Sequence, residues 1–120
     1  MAKATRYTKD MVYEYISKGY WTGETTSELW DRNAELFGSM EALIDSRQRL
    51  TWLQIKQRSE SMAVNLLDMG FQRDELIFLL VPNCVESYIV RLACEKAGIL
   101  CFTALTGIRE LEIEYILKNW

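Results

Sequence analysis

One stretch of the sequence, residues 75–103, constrains the fold more than any other. It begins with six apolar residues at 76–81, a run too short for a membrane span and followed by the chain's only proline. Such a run is typical of a strand that is buried on both faces. Asn83 stands three residues before Glu86, which is the spacing of a helix cap and its reciprocal partner. The pattern predicts a helix that begins at Asn83.

This predicted helix has one apolar face and ends at Gly98. The apolar residues recur at helical spacing, at positions Val85, Tyr88, Ile89, Leu92, Ala93 and Ala97. Gly98 supplies the left-handed residue that closes many helices, and a second apolar run follows at 99–103. Two apolar strands joined by an amphipathic helix predict a right-handed parallel crossover, because such strands need helices on the faces of their sheet.

Two further helices are predicted to begin with a capping box. Thr25 and Glu28 open the first of them, and Thr51 and Gln54 open the second, in each case just before an apolar stripe. Between these helices lie two short β-prone runs, 42–45 and 49–52, separated by a polar tripeptide. This arrangement predicts a β-hairpin.

Helical spacing also predicts a first helix over 8–18, capped by Thr8, and a last helix over 108–120. The aromatic pair Tyr20-Trp21 follows the first helix and is expected to cover the edge of a core. Asp74 lies in the turn before the first buried strand, where aspartate tolerates left-handed backbone angles.

Composition excludes several classes of function. The net charge of −3, with 14 basic and 17 acidic residues interleaved, gives no basic stripe for nucleic acid. Neither a signal peptide nor a membrane-spanning run is present, so we expect a cytoplasmic protein with no membrane partner. The chain has no histidine, which removes the commonest general base and metal ligand. The three cysteines, Cys84, Cys94 and Cys101, are expected to be buried core thiols.

No motif in the chain carries chemistry by itself. Neither a G-x-G-x-x-G turn nor a G-x-x-x-x-G-K-[ST] loop is present, so phosphate binding is not visible in these residues. The aspartates lack the spacing of a cation-binding loop, and solvated surfaces account for nearly all of them: Asp31, Asp45, Asp68 and Asp74. The residues alone therefore predict a fold class, α/β with a parallel βαβ core, flanking helices and a short hairpin, without a reaction.

A series of local matches, in a shared order, extends over about residues 15 to 120. They are Gly19-Tyr20-Trp21 with Glu24-Thr25, Ala42-Leu43-Ile44-Asp45, Leu50-Thr51-Trp52-Leu53-Gln54-Ile55, Val81-Pro82-Asn83, Glu95-Lys96-Ala97-Gly98-Ile99-Leu100, and Glu112-Ile113 with Tyr115-Ile116-Leu117. Together they resemble the N-terminal part of the adenylate-forming acyl- and aryl-CoA synthetases, with an opening like that of aryl-acid AMP ligases and benzoate-CoA ligases. The chain departs from this pattern at Asp74-Glu75, where the family has Gly-Asp, and at Trp52, where it has tyrosine.

The resemblance implies a two-step ligase. ATP and a carboxylic acid give an acyl-adenylate and pyrophosphate, and a thiol, often that of coenzyme A, then takes the acyl group, with magnesium shielding the phosphates. The family's phosphate loop, nucleotide-binding motifs and catalytic lysine would all lie beyond Trp120. No residue of this chain is therefore assigned a catalytic, cofactor-binding or metal-binding role. The matched polar residues Asn83 and Lys96 are interpreted as a helix cap and a surface charge.

The resemblance also implies how the chain is organised. Residues 1–120 are expected to form a single N-terminal subdomain of a longer ligase, with a helical leader at 1–40 and the hairpin and βαβ core at 41–120. Its partners would be the remainder of the ligase chain, a small carboxylic acid and a second copy paired through an exposed sheet edge. Two alternatives remain: a short interaction or regulatory module without catalysis, and, less favoured because it lacks a phosphate turn, a flavodoxin-like nucleotide binder.

Overall fold

The computed structural model describes residues 7–104 and 106–119. The helices are α1 (Lys9–Ser17), α2 (Thr26–Phe37), α3 (Trp52–Asp68), α4 (Val85–Ala97) and α5 (Glu110–Asn119). The strands are β1 (Glu41–Ile44), β2 (Arg49–Thr51), β3 (Leu76–Leu80) and β4 (Leu100–Ala104). The expectations for the N-terminal segment 1–6 and for the final residue of the last helix lie outside the described residues.

The central unit is the predicted strand-helix-strand crossover. β3 and β4 pair in parallel, with Leu76 opposite Leu100 and Leu80 opposite Ala104, and α4 connects them. Gly98 closes α4 with a φ of +73°. A left-handed residue also precedes β3 at Asp74, with a φ of +66°. The parallel pairing, the closing glycine and the left-handed aspartate were all predicted from the sequence, and the structure confirms them.

The expectation that the first strand is buried on both faces is wrong. The residues of β3 are half-buried, and Leu80 is exposed. Side chains alternate between the two faces of a strand. Ile77 and Cys101 pack against the core on one face, whereas Phe78 and Phe102 stack at 5.7 Å between ring centroids, one residue along and hence on the opposite face. The described helices α3 and α4 thus cover one face of this two-stranded sheet.

The core lies where α3 and α4 pack against each other. One cluster of buried residues faces the parallel sheet: Ala63, Leu66, Ala93, Cys94 and Ile99. A second cluster faces the hairpin: Leu50, Ile55, Val85 and Leu92. Trp30 of α2 packs against the second cluster, and its ring lies 5.0 Å from that of Trp52. The two clusters join the hairpin, α2, α3 and the crossover into one packed unit.

Local signals place the hairpin and the helices around it as predicted. β1 and β2 pair antiparallel, and both predicted capping boxes form. In the box of α3, Thr51 Oγ1 accepts a hydrogen bond from the Gln54 N–H, and Gln54 Oε1 accepts one from the Thr51 N–H. These reciprocal bonds satisfy N–H groups that a helix start leaves without a partner.

The first helix is held mainly by its own neighbourhood. Thr8 caps α1 as predicted, and every residue of α1 is exposed or half-buried. The Trp21 ring packs edge-on against Tyr7 and Tyr15, and Tyr20 packs against Tyr15. The sequence led us to expect the pair at 20 and 21 to cover the edge of the core. The structure instead places both rings on the tyrosines of the α1 segment.

Candidate functional site

A cleft opens at the carboxyl ends of β3 and β4. Its volume is 460 Å³, and it is lined by Val81, Pro82, Asn83, Ser87, Tyr88, Arg91, Thr103, Ala104 and Thr106. Ligands of open α/β sheets bind outside the carboxyl ends of the parallel strands, so this is where a binding site is expected. No residue of this chain was predicted to belong to a site, and the parallel pairing of β3 and β4 is the sequence-derived signal that locates the cleft.

The start of α4 forms one wall of this cleft. β3 ends at Leu80, and the extended N-cap residue Cys84 brings the chain into the helix with φ −143° and ψ 168°. Asn83 was predicted to be the cap, and that prediction is wrong. The cap lies one residue later, and the Cys84 side chain makes no capping hydrogen bond. The Glu86 carboxylate interacts with its own backbone N–H and with the Cys84 side chain, which lower its pKa, and it also accepts hydrogen bonds from Arg47 and Gln48 of the hairpin loop at 2.6 and 2.9 Å.

Asp45, at the end of β1, contacts both the hairpin loop and α4. Its Oδ2 accepts a hydrogen bond from the Val85 N–H at 3.0 Å, and its Oδ1 accepts from the N–H groups of Arg47 and Gln48 at 2.8 and 2.9 Å. The Val85 N–H, with the two loop N–H groups, holds the pKa of this carboxyl below its ordinary value of 3.8. The sequence predicted that Asp45 lies on a solvated surface. That prediction is wrong, since only 14% of its side chain is exposed.

Lys96 is also not the surface charge predicted from the sequence. Its side chain is 11% exposed, and its Nζ lies 2.6 and 2.7 Å from the two carboxylate oxygens of Asp31. Lys56 approaches the same carboxylate at 3.4 Å and pairs with Glu60 at 3.2 Å. The cluster of Asp31, Lys56, Glu60 and Lys96 therefore joins α2, α3 and α4. Because Asp31 and Lys96 are 65 residues apart, no spacing rule pairs them.

The three cysteines differ in burial. Cys94 is fully buried, which confirms the expectation for that residue, but Cys84 and Cys101 are half-buried. Burial raises the pKa of the Cys94 thiol from 9.0 to about 12, and it also raises the pKa of Cys101. Complete burial and a raised pKa are typical of a structural thiol and not of a nucleophile, which needs the thiolate form.

The side chains around the cleft supply hydrogen bonds and one positive charge. The Ser87 hydroxyl donates to the Cys84 carbonyl at 2.7 Å, and Arg91, which is 55% exposed, pairs with Glu95 at 3.4 Å. A small molecule in the cleft would meet the Ser87 hydroxyl and the Arg91 guanidinium, which already bond to groups of α4 and its N-cap.

Within residues 7–104 and 106–119, no three or more His, Cys, Asp or Glu side chains are grouped to hold a metal ion. In the same part of the chain, no helix is both long and apolar enough to cross a bilayer.

Most of this chain matches the sequence model of one protein family. Residues 30–120 match the sequence model of the family described as AMP-binding enzyme. The chain therefore belongs to the AMP-binding enzyme family, which confirms the resemblance drawn from its motifs.

Individual relatives agree with this membership. A Streptomyces protein named salicylyl-CoA synthase / salicylate adenylyltransferase is 31% identical over 113 residues, which cover 94% of this chain and 20% of that protein. The mitochondrial medium-chain acyl-CoA ligase ACSF2 of Macaca fascicularis is 27% identical over 105 residues, 86% of this chain and 17% of its own length. The apo structure of MbtA from Mycobacterium smegmatis has a TM-score of 0.90 and 19% identity, covering 95% of this chain and 22% of that one. The chain thus spans 17% to 20% of the two curated relatives.

Proposed function

We propose that these 120 residues supply the N-terminal part of an ATP-dependent acid–thiol ligase. The reaction would join a carboxylic acid to AMP with release of pyrophosphate and then pass the acyl group to a thiol. The observation that carries this proposal is the family match over residues 30–120. A carboxylate is a poor electrophile, and its adenylate is a good one, so activation by ATP gives the thiol a group that it can attack.

ATP, magnesium and coenzyme A are the cofactors that we propose for the whole enzyme. The described residues of this chain do not fit a magnesium site, because they hold no group of carboxylates arranged around a cation. The role that we propose for them is to build and support the cleft at the ends of β3 and β4. The division into a leader at 1–40 and a core at 41–120 and the cytoplasmic location remain predictions.

An aromatic acid is the substrate class that we favour. The 31% identical Streptomyces relative is named for salicylate, whereas the 27% identical relative is named for medium-chain acyl groups. The opening Gly19-Tyr20-Trp21 also resembles that of the aryl-acid ligases. Aromatic and medium-chain acids differ in shape, so one binding pocket should favour one class over the other when both are measured in the same assay.

The proposal is tested with a chimera. The aligned N-terminal part of the Streptomyces relative is replaced by this chain, and acid-dependent exchange of pyrophosphate into ATP is measured with salicylate and with octanoate. We expect exchange with salicylate well above that of the same relative with its N-terminal part deleted. A folded chimera with no exchange would contradict the proposal, and faster exchange with octanoate would contradict the aromatic assignment.

We also propose that the 120 residues alone catalyse no exchange. ATP–pyrophosphate exchange with any carboxylic acid above a mock-purified control would overturn this statement. The pairing of two copies through a sheet edge likewise remains a prediction, and a monomer at all concentrations in sedimentation would count against it. A chain that folds, fails in the chimera and binds another protein would favour the interaction module instead.

A further inference from the structure

Helix α4 lacks the side-chain N-cap that α1, α2 and α3 have. Thr8, Thr25 and Thr51 each accept a hydrogen bond from an N–H in the first turn of α1, α2 and α3. The N-cap of α4 is Cys84, whose side chain makes no such bond. An N–H at a buried helix start that loses its acceptor costs stability. Because Val85 is only 2% exposed, water is a poor substitute for a protein acceptor there.

The missing acceptor comes from the hairpin, 40 residues earlier in the chain. Asp45 is held by its own loop, because its N–H donates to the Gln48 carbonyl at 3.0 Å and its Oδ1 accepts two loop N–H groups. These bonds leave Oδ2 directed at the Val85 N–H. A carboxylate is a stronger acceptor at this position than a hydroxyl, since it also interacts favourably with the positive end of the helix dipole.

The same helix start is shared by two neighbouring openings. Asp45, Asn83 and Tyr88 line a crevice of 210 Å³ beside the hairpin. Asn83 and Tyr88 also line the 460 Å³ cleft at the strand ends. A shift in where α4 begins therefore moves one wall of the cleft.

We propose that Asp45 is a positioning residue that fixes the start of α4 and, through it, the wall of the cleft formed by Asn83 and Tyr88. The part of this inference that concerns substrate rests on the proposed function, whereas the part that concerns the helix start does not. The hydrogen bonds of Glu86 to Arg47 and Gln48 span the same junction. They are exposed, so they add little to the fixation.

The pH dependence follows from the charges around Asp45. These are Arg47 in the loop, the Cys84 thiol at the N-cap, Glu86 of α4, whose own pKa is also lowered, and Arg58 of α3, which donates to Gln48 at 3.0 Å. Because the folded-state pKa of Asp45 is lowered, its stabilisation is complete above the ordinary value of 3.8 and is lost as the pH falls through the folded-state value. Protonation removes the charge that Val85, Arg47 and Gln48 donate to.

Nuclear magnetic resonance of the 120-residue chain tests the helix start. The Val85 amide proton is followed in the native chain, in Asp45→Asn and in Asp45→Ala, with Asp74→Asn as the control. Asp74 carries the same carboxyl on a side chain that is 78% exposed. We expect hydrogen exchange at Val85 to be about tenfold faster in Asp45→Ala, with a smaller increase in Asp45→Asn, which keeps one acceptor oxygen. Asp74→Asn should leave it unchanged.

A pH titration separates a positioning role from a general loss of stability. In the native chain the amide shifts of Val85, Arg47 and Gln48 should titrate together with a midpoint below 3.8, and this common step should vanish in Asp45→Asn. If Asp45→Ala fails to fold, hydrogen exchange in Asp45→Asn and the pH titration of the native chain still test whether Asp45 fixes the helix start. Unchanged exchange at Val85, or a Val85 shift that does not follow the two loop amides, would overturn the proposal.

The effect of Asp45 on the cleft is measured as the KM and kcat of the active chimera. We expect Asp45→Asn to raise the KM for the carboxylic acid at least threefold while kcat changes less, and Asp74→Asn to change neither. If KM is unchanged although hydrogen exchange at Val85 is faster, Asp45 does not position the wall of the cleft. Its role at the start of α4 would still stand. An inactive chimera would count against the proposed function, and the titration would then decide the role of Asp45 by itself.

Discussion

The helices at the centre of the molecule and those at its two ends carry similar sequence patterns but have different surroundings. α3 and α4 each place four residues in the buried core, whereas every residue of α1 and of α5 is exposed or half-buried. All four helices have apolar residues at helical spacing. Periodicity therefore predicts that a helix forms, and the tertiary contacts decide how much that helix contributes to the free energy of unfolding.

The charged residues differ in the same way. Glu114 and Lys118 form the predicted pair on α5, with the lysine side chain 69% exposed. Lys96 of α4 has a side chain only 11% exposed and contacts Asp31 on another helix. A pair in solvent contributes little, whereas a lysine taken out of water depends on its partner. The comparison thus separates a central unit held by long-range contacts from ends held by local ones.

The largest expected effect comes from truncating matched leucines. Leu92 of α4 is 3% exposed, and Leu117 of α5 is 56% exposed. Leu92→Ala should lower the free energy of unfolding by about 2–5 kcal/mol, because it leaves a cavity between α3, α4 and the hairpin. Leu117→Ala should change it by less than about 0.5 kcal/mol. Urea unfolding measures both, and equal losses would break the distinction between centre and ends.

The second effect concerns the two lysines. Lys96→Met keeps the apolar stem but removes the ammonium group that contacts Asp31, so the free energy of unfolding should fall by roughly 1–3 kcal/mol. Lys56, which also approaches Asp31, limits the loss. Lys118→Met on α5 should be neutral to within about 0.5 kcal/mol. Thermal unfolding at low and high salt compares them, and the prediction is wrong if both variants melt like the native chain.

The sequence predicted those features in which cause and effect lie close together along the chain. The capping boxes at Thr25 and Thr51 depend on residues three positions apart, and the left-handed Asp74 and Gly98 depend on single residues. Parallel pairing of two apolar runs followed from their length and the helix between them. The position of the cleft follows from that pairing.

The features that the sequence did not predict depend on residues far apart along the chain. The local capping rule selected Asn83, but Asp45, from the hairpin, supplies the acceptor at the start of α4 and the cap lies at Cys84. The partner of Lys96 lies on α2 and cannot be recognised from the neighbours of either residue. Pairs of this kind become visible only when the helices are packed.

A smaller effect is expected at the glycines that close α4 and α1. Gly98 and Gly19 have φ values of +73° and +71°, so alanine introduces a similar strain of about 1–2 kcal/mol at each. Gly98→Ala should lower the free energy of global unfolding by that amount, since α4 unfolds only with the core. Gly19→Ala should instead speed hydrogen exchange in α1 alone. Equal shifts in urea unfolding would show that α1 unfolds together with the centre.

The smallest global effect is expected from the aromatic cluster of Tyr7, Tyr15, Tyr20 and Trp21. Its edge-on ring contacts, with Trp21 5.1 Å from both Tyr7 and Tyr15, stabilise the α1 segment by about 0.5–1.5 kcal/mol per ring pair. Trp21→Ala should therefore release α1, seen as faster amide exchange, and leave urea unfolding within about 0.5 kcal/mol of the native chain.

Trp30→Ala is the matched control for this last prediction. Trp30 packs on the core cluster that contains Leu92 and contacts Trp52, so its truncation should lower the free energy of global unfolding by more than that of Trp21. If Trp21→Ala caused the larger loss, the α1 segment would have to be coupled to the core. The division between a cooperative centre and locally held ends would then fail, because burial alone would no longer predict which helices unfold together.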